Sequence, residues 1–316
     1  MSSKYVVAGA GQVGHHLAER LAAQGHEVVV VTRSGAGPRT PGVRRVAADA
    51  ADAERLTELA RGAAALFNCV NPPYWRWPVD WPPMAASFLA AAERTGAVLV
   101  ILGNLYGYGP VDGPITEESP LAATDTKGRV RARMWADALA AHEAGRIRAV
   151  ELRASDFFGP GCRHASHLGE RFVPRLLAGK PALYLGDPDQ PHSWTYVKDV
   201  ARALEIAAAD ERAWGRPWHV PTAPAVTARE IAARVCELGG APRPPRITVP
   251  PAWLRRAAGM VSPMLRELEE IRYQFDRPYL LDSSAFQATF GMAPTPLDEA
   301  LAETVDWWRS RERAAA

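Results

Sequence analysis

The chain has 316 residues, 47% hydrophobic and 23% charged, with a formal net charge of +2 and a pI near 8.5. That length supports one large domain or two modest ones, and so balanced a charge excludes wholesale nucleic-acid binding. The longest apolar runs, EVVVV and AVLVIL, are too short to span a bilayer and no secretion leader precedes the first strand, so a cytoplasmic location without membrane partners is expected.

From the N-terminus, Tyr5 to Ala8 reads as a short apolar strand, GAGQVG follows, and Val13, Leu17 and Leu21 mark one apolar face of a helix ending near Gly25. His26 to Thr32 is a run of β-branched residues without polar alternation, as expected of a strand buried on both faces. Further buried strands are predicted over 43–48, 65–70, 97–102 and 148–153, with helices over 53–61, 84–95 and 128–144 between them. Strands and helices alternating at this spacing predict an α/β fold with a doubly wound parallel (Rossmann) sheet. NPPYWRWPVDWPPM, with five prolines and three tryptophans, is expected to be a shaped loop at the sheet's ligand end, its Tyr74, Trp75, Trp77 and Trp81 either walling a pocket or packing together. From about Phe158 the pattern loosens into a smaller mixed α/β domain. The expected division gives 1–157 and 191–221 to dinucleotide binding, and 158–190 and 222–316 to substrate. Cys69, Cys162 and Cys236 lie far apart and suit neither disulfides nor zinc, and His164 and His167 have no partners at metal-ligand spacing. No metal is expected.

Gly9-x-Gly11-x-x-Gly14 between a strand and a helix has a mechanical reason for each glycine: a tight turn, a close approach of pyrophosphate to the backbone, and close packing of helix on strand. The free amides and dipole of the helix start favour the phosphates. A carboxylate at the end of the second strand would bind the adenosine ribose of NAD. This chain has Thr32 and Arg33 there, and a guanidinium suits a 2′-phosphate, so NADP(H) is expected over NAD(H).

These segments together resemble an extended short-chain dehydrogenase/reductase of the NAD-dependent epimerase/dehydratase family over nearly the whole chain. GAGQVG, with Gln12 and Val13, is similar to the family's opening motif, and DAAD, beginning at Asp49, to the segment lying against the adenine. LYG from Leu105, RASDFFGPG, SWTYVKDVARAL and DSSAFQATFGMAPTPLDEAL resemble its later signatures. The resemblance implies a small-molecule substrate and a homodimer formed through helices that include the one opening near Lys127. It also implies a catalytic Ser or Thr with a Tyr-x-x-x-Lys pair, and here this sequence departs: Leu102, Lys127 and Arg131 occupy those places. Lys127 and Arg131 share one helical face, where like charges repel unless an anion compensates them. Either Lys127 moves the proton while Arg131 holds the ribose, or the pair binds a carboxylate or phosphate of the substrate while Tyr106, beside Asn104, or a water handles the proton. His192 stands near where relatives carry a substrate-facing Arg. The expected activity is therefore an NADP(H)-dependent epimerase, dehydratase or reductase acting on a hydroxyl or carbonyl carbon of a small, polar, anionic substrate. The alternatives are an NmrA-like sensor and a non-redox lyase or isomerase.

Overall fold

The computed structural model describes residues 2–315. Seven strands form the main sheet: β1 (Lys4–Ala8), β2 (Glu27–Thr32), β3 (Val43–Ala47), β4 (Ala63–Asn68), β5 (Val98–Asn104), β6 (Ala149–Ala154) and β7 (Pro217–His219). Their order is β7-β6-β5-β4-β1-β2-β3, a doubly wound arrangement whose direction of growth reverses beside β1. In register, Val7 lies between Val30 of β2 and Phe67 of β4, all in parallel pairing. β1, β2, β4 and β5 read as nearly unbroken apolar runs because both faces are covered. On one face Val6, Ala8, Leu66, Leu99 and Ile101 pack with Leu56 and Leu59 of α2 (Ala53–Ala60), Phe88 and Ala92 of α3 (Trp77–Thr95), and Trp135 and Ala138 of α4 (Thr126–Glu143). Helix α1 (Gly14–Ala23) lies against β1 and β2 and buries Leu17, Ala18 and Leu21.

The chain separates into two compact units, one comprising Met1–Gly109, Pro120–Arg153 and Val200–Val220, the other Pro110–Ser119, Ala154–Asp199 and Pro221–Ala316. The division expected from sequence placed 191–199 with the sheet. In the structure Trp194–Tyr196 pairs with Asp156–Phe158 and Pro191–His192 with Val226–Thr227, so hydrogen bonding ties that stretch to the second unit. Residues 110–119 join the same unit because Pro114–Ile115 pairs with Leu280–Leu281. The second unit has its own core, in which Phe172, Tyr184 and Trp194 pack with Ile231 and Val235 of α5 (Ala228–Leu238) and with Leu301 and Trp308 of α6 (Leu297–Ala315). Thr227 and Glu230 close a reciprocal capping box at the start of α5.

The proline-rich segment is not the irregular loop expected. After one 3-10 turn at Tyr74–Arg76 the chain enters α3 at Trp77, seven residues before the expected start at Met84. Pro78 sits in the first turn, where no intrahelical donor is required. Pro82 and Pro83 remove the donors that would reach the carbonyls of Pro78 and Val79, but all four residues are exposed, so water solvates those carbonyls. Trp77 and Trp81, one turn apart, are fully buried. The prolines thus mark the wet face of a helix whose dry face is aromatic.

Helix α4 starts at Asp125, whose carboxylate accepts the Gly128 amide at 2.7 Å. Its buried face runs Lys127, Arg131, Met134, Trp135, Ala138 and Ala141, so the two cations lead the inward stripe. Gly128 permits this approach, because a Cβ there would lie 2.2 Å from Ala123 Cβ and 2.5 Å from the Tyr106 carbonyl oxygen. We expect Gly128→Ala to push α4 off the turn after β5 and lower stability by roughly 1–3 kcal/mol. An unchanged urea-unfolding midpoint would contradict that packing.

Candidate active site

The glycine turn after β1 has the geometry its sequence implies. Gly9 adopts a φ of +95°, and a Cβ there would lie 2.4 Å from the Cys69 carbonyl oxygen. At Gly14 a Cβ would stand 1.9 Å from the Gly9 oxygen, whereas at Gly11 it would meet nothing within 4 Å. The outer two glycines are therefore demanded by the fold itself, and the middle one borders open space. Val13 precedes α1 with no side-chain cap and no acid in the first turn, and Gln12 is half-buried beside it. Cys69, against this turn, is buried, and burial pushes its thiol up to about 12.

At the end of β2 the Thr32 hydroxyl donates to the Ala36 carbonyl at 2.8 Å and shapes the following turn, while Arg33 is exposed. Hydrogen bonds from Arg76 are the main reason that the Asp80 carboxyl is held below its ordinary range, and Arg33 adds to the effect. Asp49, exposed after β3, accepts the Ala51 amide at 2.9 Å.

Tyr74 follows β4, and Asn104 and Tyr106 lie at the end of β5, the strands one and two places from β1 in the sheet. Asn104 accepts the Tyr106 amide at 3.2 Å and thereby fixes the turn that carries Tyr106. The Tyr106 hydroxyl lies 2.9 Å from that of Tyr74. Trp77 organises both rings: it lies near-parallel to Tyr106 at 6.0 Å and edge-on to Tyr74 at 4.9 Å, while its indole N–H donates to the Pro72 carbonyl at 2.9 Å. Lys127, with no exposed surface, has its Nζ 6.0 Å from the centre of the Tyr74 ring. Trp75 is 47% exposed on the 3-10 turn and takes no part in this packing.

Arg131 is 7% exposed, and its guanidinium carbon lies 4.7 Å from the Trp77 ring centre and 4.5 Å from that of Trp81. One terminal nitrogen donates to the Leu102 carbonyl at 3.3 Å, and the buried Nε has only indole faces in place of an acceptor. Burial lowers the Arg131 pKa, and nearby Glu151, Tyr74 and Tyr106 act in the opposite direction. Glu151 continues a buried chain that sequence reading missed. It accepts from Arg153 at 2.7 Å, Arg153 donates to the Tyr108 hydroxyl at 2.7 Å, and that hydroxyl lies 2.8 Å from Nε2 of His219. Gly103 makes room for it, since a Cβ there would be 2.6 Å from the Glu151 carboxylate. Glu151 and Arg153 are two apart on a strand and so share a face. A like-facing ion pair inside an otherwise apolar strand was the available signal.

His192 is assigned to the second unit and is 1% exposed there. Its Nε2 lies 2.9 Å from Asp156 and its Nδ1 3.1 Å from the Gln274 carbonyl, with the Phe275 ring stacked at 5.2 Å. Burial works to raise the Asp156 carboxyl, but the hydrogen bond and charge of His192, with His167, outweigh it and hold it below the ordinary range. Among the described residues no cluster of His, Cys, Asp and Glu suits a metal ion, and no helix is long and apolar enough to cross a membrane. A groove of about 580 Å³ lined by Ser2, Lys4, Glu27 and Ala63 lies at the amino-terminal ends of β1, β2 and β4, the end away from these residues.

Comparison with known proteins matches the model of the NAD dependent epimerase/dehydratase family over residues 5–220. A UDP-glucose 4-epimerase from Mycolicibacterium smegmatis is 25% identical over 98% of this chain and 99% of its own. A dTDP-6-deoxy-L-talose 4-dehydrogenase (NAD(P)(+)) from Kitasatospora kifunensis is 31% identical over 75% of this chain and 79% of its own. The structure of MoeE5 in complex with UDP-glucose and NAD shares the fold, with a TM-score of 0.80, 22% identity and complete coverage of both chains.

The buried charges carry a thermodynamic expectation. Glu151→Gln removes the carboxylate facing two buried guanidiniums and should cost on the order of 3 kcal/mol. Asp137→Asn, whose partner Arg133 is 78% exposed, should cost less than about 1 kcal/mol. Urea unfolding of both variants checks the contrast, and equal losses would contradict it.

Proposed function

The chain belongs to the NAD-dependent epimerase/dehydratase family, and we propose that it is an NADP(H)-dependent enzyme acting at a hydroxyl or carbonyl carbon of a small anionic carbohydrate. The observation that carries this reading is the meeting of Tyr106, Tyr74, Lys127 and Arg131 after β4 and β5 of the sheet that also carries the glycine turn. The residues at that turn fit a dinucleotide: Gly11 borders open space, and the amides opening α1 have no side-chain cap and no acid in the helix's first turn. When bound, the nicotinamide supplies hydride acceptance or donation at the substrate carbon. Gly9, Gly11, Gln12, Val13 and Gly14 hold the pyrophosphate in this reading, Asp49 and its turn border the adenine, and Arg33 with Thr32 receives the adenosine 2′-phosphate.

Tyr106 is the group that exchanges a proton with the substrate oxygen, with Asn104 fixing the turn that aims it. Lys127 and Arg131 supply fixed positive potential at that oxygen, which favours its anionic form in a water-poor setting. Arg131 is suited to a stationary role because two indoles and a carbonyl already hold it. Lys127, leading the same stripe with its Nζ 6.0 Å from the Tyr74 ring centre, orients the substrate oxygen. Trp75 offers an exposed indole for the carbohydrate. His192 is assigned no substrate contact, since both its ring nitrogens are engaged within the second unit. The named substrates of the relatives, UDP- and dTDP-linked sugars, support a substrate of this anionic class.

Two measurements test the reading. Wild type should bind NADPH more tightly than NADH, and Arg33→Ala should erase the difference; equal preference in both proteins would end the NADP(H) assignment. In turnover assays with a panel of UDP- and dTDP-hexoses, Lys127→Ala should abolish activity while leaving NADPH affinity within about threefold of wild type. Retained turnover would remove Lys127 from the mechanism.

A further inference from the structure

Tyr74 has no part in the proton exchange assigned to Tyr106, yet the fold places it with care. Pro72 and Pro73 stiffen the turn leaving β4, the Trp77 indole ties that turn to itself through the Pro72 carbonyl, and the Tyr74 hydroxyl arrives 2.9 Å from that of Tyr106. Two phenols at this distance, each packed on the same indole, share one hydrogen between two oxygens. The charged groups facing them are Lys127 and Arg131 from α4, with Glu151 from β6 behind Arg131. Charge is linked to both rings, since Tyr74 and Tyr106 each act on Arg131.

We propose that Tyr74 is a positioning residue for Tyr106, forming a two-phenol dyad in which the Tyr74 hydroxyl donates to the Tyr106 oxygen and stabilises its phenolate. The inference rests on the reading of Tyr106 as the proton-exchanging group. The proton balance is simple. Tyr106 loses its proton to solvent, the phenolate so formed takes the proton of a substrate hydroxyl, and the Tyr74 hydrogen stays on Tyr74 throughout. Without Tyr74 the phenolate keeps the two cations but loses the short, directed donor 2.9 Å away. A charge-assisted hydrogen bond of this kind is about twice as strong as a neutral one. The arrangement also gives the segment Asn71 to Trp77 a purpose that pocket walling does not: it is a rigid bracket for one hydroxyl.

The test is a pH titration of the full-length protein carrying tyrosine labelled with carbon-13 at Cζ, without nucleotide and again with NADP⁺. Tyr106→Phe identifies the Tyr106 resonance by its loss. In Tyr74→Phe, which keeps the ring and its packing on Trp77, the Tyr106 resonance should titrate at least about one pH unit higher than in wild type. A conservative variant with an unchanged unfolding midpoint separates this effect from misfolding, and a role in packing alone would leave the titration where it was. An unmoved Tyr106 titration in folded Tyr74→Phe overturns the dyad. Failure of the enzymatic reading would look different: the Tyr106 shift between wild type and Tyr74→Phe would remain while NADP⁺ produced no change in any tyrosine resonance.

Discussion

One buried cation governs the geometry of the candidate site. The Arg131 guanidinium is removed from water against two indoles, with the Leu102 carbonyl as hydrogen-bond acceptor and Glu151 as counter-charge. An unpaired charge in such a place would cost several kcal/mol, so every element around it is constrained. Helix α3 must present Trp77 and Trp81 one turn apart, β5 must offer the Leu102 carbonyl, and β6 must hold a carboxylate over Gly103. Helix α4 must then come close enough to deliver both cations, which Gly128 and the Asp125 cap permit. Once Arg131 is fixed, Lys127 is fixed with it, because both belong to one inward stripe of a single helix.

That constraint explains a run of sequence that otherwise looks contradictory. NPPYWRWPVDWPPM carries prolines that discourage a helix and tryptophans spaced for one. Both features operate, on opposite faces of the helix: Pro78, Pro82 and Pro83 face water, and Trp77 and Trp81 face the guanidinium. The first two prolines set the direction in which Tyr74 leaves the sheet. A local rule about missing donors is correct residue by residue, but it does not say that the freed carbonyls point to solvent, where their loss costs little.

The sheet was legible because parallel strands covered on both faces leave unbroken apolar runs such as EVVVV, and because Gly9, Gly11 and Gly14 lie between a strand and a helix. The domain division was legible only coarsely, since the assignment of 191–199 depends on hydrogen bonds to Asp156–Phe158 and Val226–Thr227, partners distant in sequence. Lys127 and Arg131 stood out as cations where a helix start favours anions, and their burial gives that oddity a location. The chain through Glu151, Arg153, Tyr108 and His219 was not read, because no spacing rule links a strand pair to a turn and an edge strand. The contact of Tyr74 with Tyr106 was invisible for the same reason: it joins the ends of two strands that only the sheet order makes neighbours.

If inward-facing cations at the start of α4 are tolerated because a ligand oxygen completes their surroundings, the decisive measurement is a crystal structure with NADP⁺ bound. The account predicts pyrophosphate against Gly11 and a nicotinamide ring whose reactive carbon faces the space beside Tyr106 and Lys127. A dinucleotide seated with its nicotinamide remote from both residues, or absent from the glycine turn altogether, would contradict it.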